Sequence, residues 1–411
     1  MSKLSNVGRE LSRSKLGIGS WIVYDMGNTL FSAGIVGLVF PLWLTRDMSG
    51  NDSTFGFSLS LSMVIVFILS PIAGTISDIT RRKMPFLVAT TLIAIFATAL
   101  IGVFNYEVSI TLFCTAVILI HLANIFYNAL LSDVSDESNV GYIGGLGVGV
   151  GYVGAIFAVV CGLLFYDTEG PVFLFKLMAI LMFILVLPLF LLGKYSISEA
   201  RVTEFRSLIE TAINQAFMSL WEARKKKVWA MFLFARFWYF SSIYAGSVFA
   251  VLYGVETVDL TEREVQLILA VGIVFGIPSG AIWGFLVDKY GAFLNLKLNV
   301  MAWFLILGLA ALLPVMDLPA QLWWVVGVLA GVFMAGLYVS ERPFVISMSE
   351  AHKVSEYFAV YNMVGRLAAI SGPFAWGFIS STLGMGQVAS ITWLSMSAFI
   401  GFLVLLYAKS D

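Results

Sequence analysis

The sequence predicts an all-α polytopic membrane protein, with twelve transmembrane helices in two pseudo-symmetric six-helix halves. Three observations predict it. Hydrophobic residues make up 60% of the chain and charged residues 12%, against roughly 45–50% and 25% in a soluble domain. Twelve stretches reach the ~20 mostly apolar residues that a bilayer-crossing helix needs. Related phrases then recur about 210 positions apart, as an internal duplication requires.

The first six spans are expected at 20–44, 55–77, 84–105, 109–131, 142–166 and 171–193. Short polar and Gly-rich breaks separate them. Residues 194–227 form the one long connection. There Phe205, Leu208, Ile209, Ala212, Ile213, Ala216 and Leu220 recur at helical spacing, with Glu204, Arg206, Glu210 and Gln215 largely opposite. That pattern predicts an amphipathic helix on the inner membrane surface or a plain linker helix. The last six spans are expected at 228–253, 263–287, 293–315, 319–341, 355–381 and 387–408. The predicted organisation is therefore an N-terminal half (1–193), a linker (194–227) and a C-terminal half (228–411).

Lys and Arg set the orientation. Lys3, Arg9, Arg13 and Lys15, then Arg81, Arg82 and Lys83, then Arg224 and Lys225, Lys226 and Lys227 fall on one side. Lys289, Lys297, Arg342 and Lys353 continue that side, while the opposite loops hold only Arg46 and Arg263. The positive-inside rule puts both termini in the cytoplasm, and an even number of spans agrees. The loop with Asp133, Asp136 and Glu137 is an exception, having no basic residue. Met1 to Gly19 is polar and basic, without the form of a cleavable signal. The expected location is a bacterial or archaeal plasma membrane.

Composition also excludes functions. A net charge of −1 gives no field to attract nucleic acid. Cys114 and Cys161 lie in apolar runs and form no disulfide framework. There is no metal-spaced His/Cys cluster, no Walker loop and no nucleophile elbow. The chain is expected to be no enzyme, to hold no metal or cofactor, and to draw on a proton or sodium gradient. Its expected partners are membrane lipids and a small-molecule substrate, with the chain a monomer.

"GGLGVGVGYVG" contains a literal G-x-G-x-x-G, Gly149 to Gly154. A dinucleotide loop needs a preceding strand and a water-facing crevice. These glycines instead lie inside an apolar run of span length. Gly144, Gly147, Gly151 and Gly154 recur along one helix face, as do Gly272, Gly276, Gly280 and Gly284. Small residues let membrane helices approach closely, where packing must supply the energy. Both stripes are expected to be helix contacts, static or sliding.

An ionised side chain in a span is costly and marks function by default. Asp25 lies in span 1, with Asn28, Thr29 and Ser32 on its face. Arg236 lies at similar depth in span 7, with Tyr239 beside it. His121, Asn124 and Asn128 stripe span 4. Tyr338, Glu341 and Arg342 end span 10, where a solvated loop edge is an equal reading for the last two. Arg366 is deepest, in span 11, one turn after Asn362. The stripes fall on spans 1, 4, 7 and 10, corresponding positions of the halves. They suggest helices lining a wet cavity, against the plainer reading of satisfied interhelical hydrogen bonds. Asp25 is expected to carry a coupling proton or to form half of a gate salt bridge with Arg236 or Arg366. Lys176 is expected to snorkel.

"GTISDITRRK" resembles the loop 2–3 motif of the major facilitator superfamily, G-x-L-x-D-R-x-G-R-K. Gly74, Asp78, Arg82 and Lys83 match; Ile79 and Arg81 depart. A second copy keeps Gly284, Asp288, Lys289 and Gly291. "WIVYDMGNTLF", "IFYNALLSDVSDES", "FLFARFWYFSSIYAG" and "SEYFAVYNMVGRLAAISGP" resemble phrases of the branch related to autophagy-associated vacuolar amino-acid effluxers. Met26, Gly27 and Thr29 depart from that branch's Trp, Ala and Ser. The resemblance implies the major facilitator fold, a midplane cavity and alternating access. It also implies fastening of inner helix ends by the Asp and basic residues, and a meeting of spans 5 and 8 across the halves.

The function expected is secondary active transport of a small polar or anionic solute, amino acids among the candidates. Two arginines, Arg236 and Arg366, suit a carboxylate, and Asp25 suits an ammonium. A cation-coupled sugar symporter and a non-transporting assembly factor or receptor stand as the rival readings.

Overall fold

The structure is a computed structural model that describes residues 14–80, 83–135, 140–192, 226–349 and 354–408. The described residues contain twelve long helices and no strand. In order these are α1 (Lys15–Asp47), α2 (Asp52–Thr80), α3 (Lys83–Leu100), α4 (Tyr106–Val134), α5 (Val140–Glu169) and α6 (Pro171–Leu192). Then follow α7 (Lys227–Glu256), α8 (Glu262–Tyr290), α9 (Ala292–Val315), α10 (Leu322–Met348), α11 (Val354–Gly377) and α12 (Gly386–Tyr407). The amphipathic helix expected over 194–227 lies outside the described residues, except for its last two positions.

Eleven of the twelve are long and apolar enough to cross a membrane. The exception is α11, which carries Glu356, Asn362, Arg366 and Ser371. Large apolar side chains face outward, including Phe96, Leu164 and Ile282, a pattern that hydrocarbon solvates and water does not. Two helices depart from regular winding. The middle of α1, Phe31–Val39, is a π-helix, and α11 runs into a π-turn at Phe378–Thr382. Such segments widen the backbone ladder and cluster at functional positions.

The chain forms two compact units, 1–40 with 64–213 and 41–63 with 214–411. In the first unit, α1 packs on α5 and α6, and α3 packs on α4 and α6. In the second, α8 packs on α10, α7 on α11 and α12, and α9 on α10 and α12. The segment 41–63 joins the second unit through polar contacts. Asp52 accepts from Trp376 Nε1 at 3.0 Å and from Gln387 Nε2 at 3.1 Å. Gln387 Nε2 also donates to Glu256 at 2.8 Å. Arg46 pairs with Glu262.

The glycine stripes make contacts within each unit. Gly147 meets the ring of Trp21, Gly151 meets Asp25, and a Cβ on Gly154 would overlap the backbone of Met26. All three lie against α1. Gly272 and Gly276 meet the backbone of Gly327 and Gly331 on α10. A Cβ on Gly280 or Gly284 would meet no described atom within 4 Å. The stripes fasten each span to a neighbour in its own unit, where backbone or a flat ring comes close enough to need the missing side chain.

Two alanine substitutions separate these cases. Gly154→Ala is expected to destabilise the purified chain by about 1–3 kcal/mol, the cost of overpacking. Gly280→Ala is expected to be neutral or slightly stabilising, since alanine is the better helix former. Thermal unfolding in detergent reads both, and equal melting of the two variants would contradict the packing assignment.

Candidate functional site

The first unit gathers its polar side chains between α1 and α4. The Trp21 ring stacks on Tyr127 at 4.6 Å. Trp21 Nε1 donates to the Tyr127 carbonyl at 3.2 Å, and the Tyr127 hydroxyl donates to the Trp21 carbonyl at 3.1 Å. This double bond fixes the height of α1 against α4. Tyr24 stacks on the same ring at 4.8 Å and shares a hydrogen bond with Thr91 of α3.

Above that lock, Asn28 Nδ2 donates to Asn124 Oδ1 at 2.7 Å. Two residues expected at the site are thus brought together. Asn28 is buried, His121 and Asn124 are half-buried, and Asn128 is exposed. Asp25 lies against Gly151, whose Cβ would stand 2.9 Å from Asp25 Oδ2. Thr29 Oγ1 turns back to the Asp25 carbonyl.

The second unit holds a buried charge network. Arg236 of α7 pairs with Glu341 of α10, and the two side chains are 4% and 0% exposed. Tyr239 donates to Glu341 Oε1 at 2.5 Å and Tyr361 donates to Oε2 at 2.5 Å. The guanidinium lies over the Tyr361 ring at 3.6 Å and donates Nε–H to the Tyr361 carbonyl. Phe240 covers it on another side at 4.5 Å. Gly365 makes room for it, since a Cβ there would stand 3.0 Å from Arg236 Nη2. Every oxygen of the carboxylate has a donor, the condition under which a buried ion pair is stable.

Two expectations change here. The carboxylate that pairs with Arg236 is Glu341, which the expectation for Arg236 had not named. Glu341 is also no solvated loop edge. Helix α10 does not stop at 341 but continues through Pro343 to Met348, so Glu341 sits well inside it. Arg342, the next residue, is exposed. The signal that would have found Glu341 was available: it is the one acidic residue in α10, and a buried arginine needs an anion. Tyr361 and Gly365 escaped the sequence reading altogether.

Arg366 is the opposite case. It is half-buried on α11, one residue after Gly365. Among the described residues, no hydrogen bond or ion pair reaches its guanidinium. Tyr338, one turn before Glu341, is partly exposed. Of the expected fastening motif, Arg82 lies outside the described residues. Lys83 Nζ donates to Asp133 at 3.1 Å and to the Ala129 carbonyl at 2.7 Å, so the acidic loop finds its cation on α3. Asp288 is exposed. No group of three or more potential metal ligands occurs among the described residues.

The model of the Major Facilitator Superfamily matches residues 27–373. An uncharacterized MFS-type transporter of Bacillus subtilis, YxiO, is 22% identical, covering 95% of this chain and 94% of that protein. An uncharacterized protein of Aquifex aeolicus is 24% identical over 95% of this chain and 97% of its own. Among solved structures, the nucleoside transporter NupG superposes with a TM-score of 0.72 at 15% identity, covering 97% of this chain and 100% of that one. A POT family transporter in complex with 5-aminolevulinic acid gives 0.77 at 14%, covering 96% and 97%. At those identities the likeness concerns the fold.

The buried pair has a stability signature. Arg236→Met alone leaves Glu341 buried without its cation and is expected to cost about 3–5 kcal/mol. Adding Glu341→Leu is expected to recover most of it. Unfolding of the single and double variants in detergent checks this, and a double variant no more stable than the single would refute charge pairing as the reason.

Proposed function

The chain is a multi-pass membrane transporter of the Major Facilitator Superfamily, and on that premise we propose that it carries a small anionic solute by alternating access, with Arg366 as the anion's anchor. One observation carries the reading. Arg366 is a fixed cation in a helix that packs among membrane spans, and no described side chain neutralises it. An unpaired guanidinium there is expensive, so its retention is explained by a ligand that completes it. Planar bidentate donors suit a carboxylate.

Arg236 does not share that role in this conformation, because Glu341 already holds it. It acts as a positioning residue that ties α7 to α10 and α11. Within the first unit, Asn28 and Asn124, with His121 and Asn128 on the same helix as Asn124, offer amide and imidazole groups of the kind a polar solute uses. Asp25 suits an ammonium, and Tyr338 offers a hydroxyl on the second unit, whereas Tyr239, also expected there, is committed to Glu341. The resemblance of "WIVYDMGNTLF" and its companion phrases to the vacuolar amino-acid effluxer branch favours amino acids within the anionic class.

Flux into proteoliposomes tests this with labelled L-glutamate, L-aspartate, lactate, 5-aminolevulinic acid, uridine, a dipeptide and glucose. Anionic or zwitterionic members are expected to move and glucose is not. Arg366→Gln is expected to raise the half-saturating concentration at least about thirtyfold, the lower bound for losing one partner of a buried charge pair. Movement of glucose alone, unaffected by that substitution, would favour a sugar symporter instead.

A further inference from the structure

Resting on the anion-carrier reading, we infer that the transporter is an obligatory exchanger, in which a second anion rather than a proton or sodium gradient drives the first. Alternating access requires the binding site to pass through a state closed to water on both sides. In that state an ionised side chain without a counter-charge bears the full penalty of hydrocarbon. Arg366 has no counter-charge among the described residues. Arginine cannot lose its proton to escape, since its ordinary pKa lies above 12. The empty carrier is therefore held back by one uncompensated cation, while the carrier loaded with a monoanion is neutral at that position and free to turn.

The nearby acid does not relieve this. Two acidic side chains bond α11: Asp52 through Trp376, about 15 Å along the helix from Arg366, and, nearer, Glu341 through Tyr361. Its Oε1 is taken by Arg236 and Tyr239, and its Oε2 by Tyr361. Turning it toward Arg366 would leave Arg236 unpaired instead, so one carboxylate would still have to serve two guanidinium groups. The groups aimed at Glu341 are donors, and a guanidinium has no lone pair to offer. A sodium ion needs several oxygen lone pairs directed at it, so this network suits a resident arginine rather than a coupling cation. The second unit thus keeps Arg236 paired within the protein and leaves Arg366 for the cargo.

The full chain in proteoliposomes tests the inference. Vesicles are loaded with buffer alone or with unlabelled L-glutamate, L-aspartate, lactate or 5-aminolevulinic acid, and entry of the same labelled compound is followed. Entry into loaded vesicles is expected to exceed entry into buffer-only vesicles by about a hundredfold, the insertion penalty of one central arginine expressed as a ratio. It is expected to survive collapse of pH and sodium gradients. Equal entry into empty and loaded vesicles overturns the exchange inference and leaves the transporter reading intact. Absence of entry of all four compounds into loaded vesicles overturns the anionic-solute reading beneath it. The variant Asn362→Asp supplies a second arm. Asn362 is exposed one turn before Arg366, so a carboxylate there can neutralise the guanidinium of the empty carrier. Entry into buffer-only vesicles is expected to rise toward the loaded rate in that variant. Unchanged dependence on internal anion, in a variant that still exchanges, overturns the inference.

Discussion

A charge in hydrocarbon must find its counter-charge within the protein, and the second unit is arranged around that requirement. Arg236 is held by Glu341, by the faces of Tyr361 and Phe240, and by the space that Gly365 leaves open. Tyr239 and Tyr361 then close the remaining lone pairs of the carboxylate. Removing any one partner leaves a polar group that no water can reach. This explains why three helices, α7, α10 and α11, converge on one guanidinium. It also makes the isolation of Arg366 informative, because the same unit shows what a fully compensated arginine looks like.

The duplication supplies positions, and each half has filled them differently. Asp25 and Arg236 stand at equivalent places in the first helix of each half. Each lies against a glycine of the fifth helix, Gly151 or Gly365. Gly154 and Gly365 are themselves repeat-related. The place that holds Glu341 in the second half holds Leu130 in the first. The seat for a charge was therefore inherited in both halves, whereas the carboxylate that neutralises it belongs to one. Close backbone approach between the first and fifth helices is the common element, as expected where lipid gives helices no hydrophobic reason to associate.

The fold was legible because hydrocarbon imposes length and apolarity on every span, and those are properties of single segments. All twelve helices fall within a few residues of their expected limits, apart from the C-terminal end of α10. There the helix runs on through Pro343 to Met348, since a membrane helix tolerates proline when neighbours satisfy the freed carbonyl. The site was less legible because its content is pairwise. Arg236, Tyr239, Asn28 and Asn124 could be named from depth and periodicity. That Arg236 closes on Glu341, and Asn28 on Asn124, depends on which helices are adjacent. The glycine stripes mark contact faces at Gly147, Gly151, Gly154, Gly272 and Gly276, but not at Gly280, and their period says nothing about what each face touches. Tyr361 and Gly365 carried no signal at all, since a tyrosine and a glycine in a span are ordinary until an arginine is found between them.

The weakest span in composition is the one richest in specific contacts, and the two facts are connected. On its own α11 lacks the apolarity to hold itself in a bilayer. It is held by protein instead. A Cβ on Gly372 would overlap the carbonyl of Ser241, and Ser371 bonds Ser241 at 3.0 Å. Ser60 donates to the Ile370 carbonyl at 2.8 Å, Ser53 donates to the Gly377 carbonyl at 2.7 Å, and Trp376 donates to Asp52. A helix anchored in this way does not depend on each residue being favourable in lipid. It can therefore carry a guanidinium that has no internal partner, and the surrounding spans bear the insertion cost. A more apolar helix could hold the same arginine only by pairing it, as α7 does. The proposed anion anchor thus sits on the helix whose position is secured by its neighbours, where a charge without an internal partner can be kept.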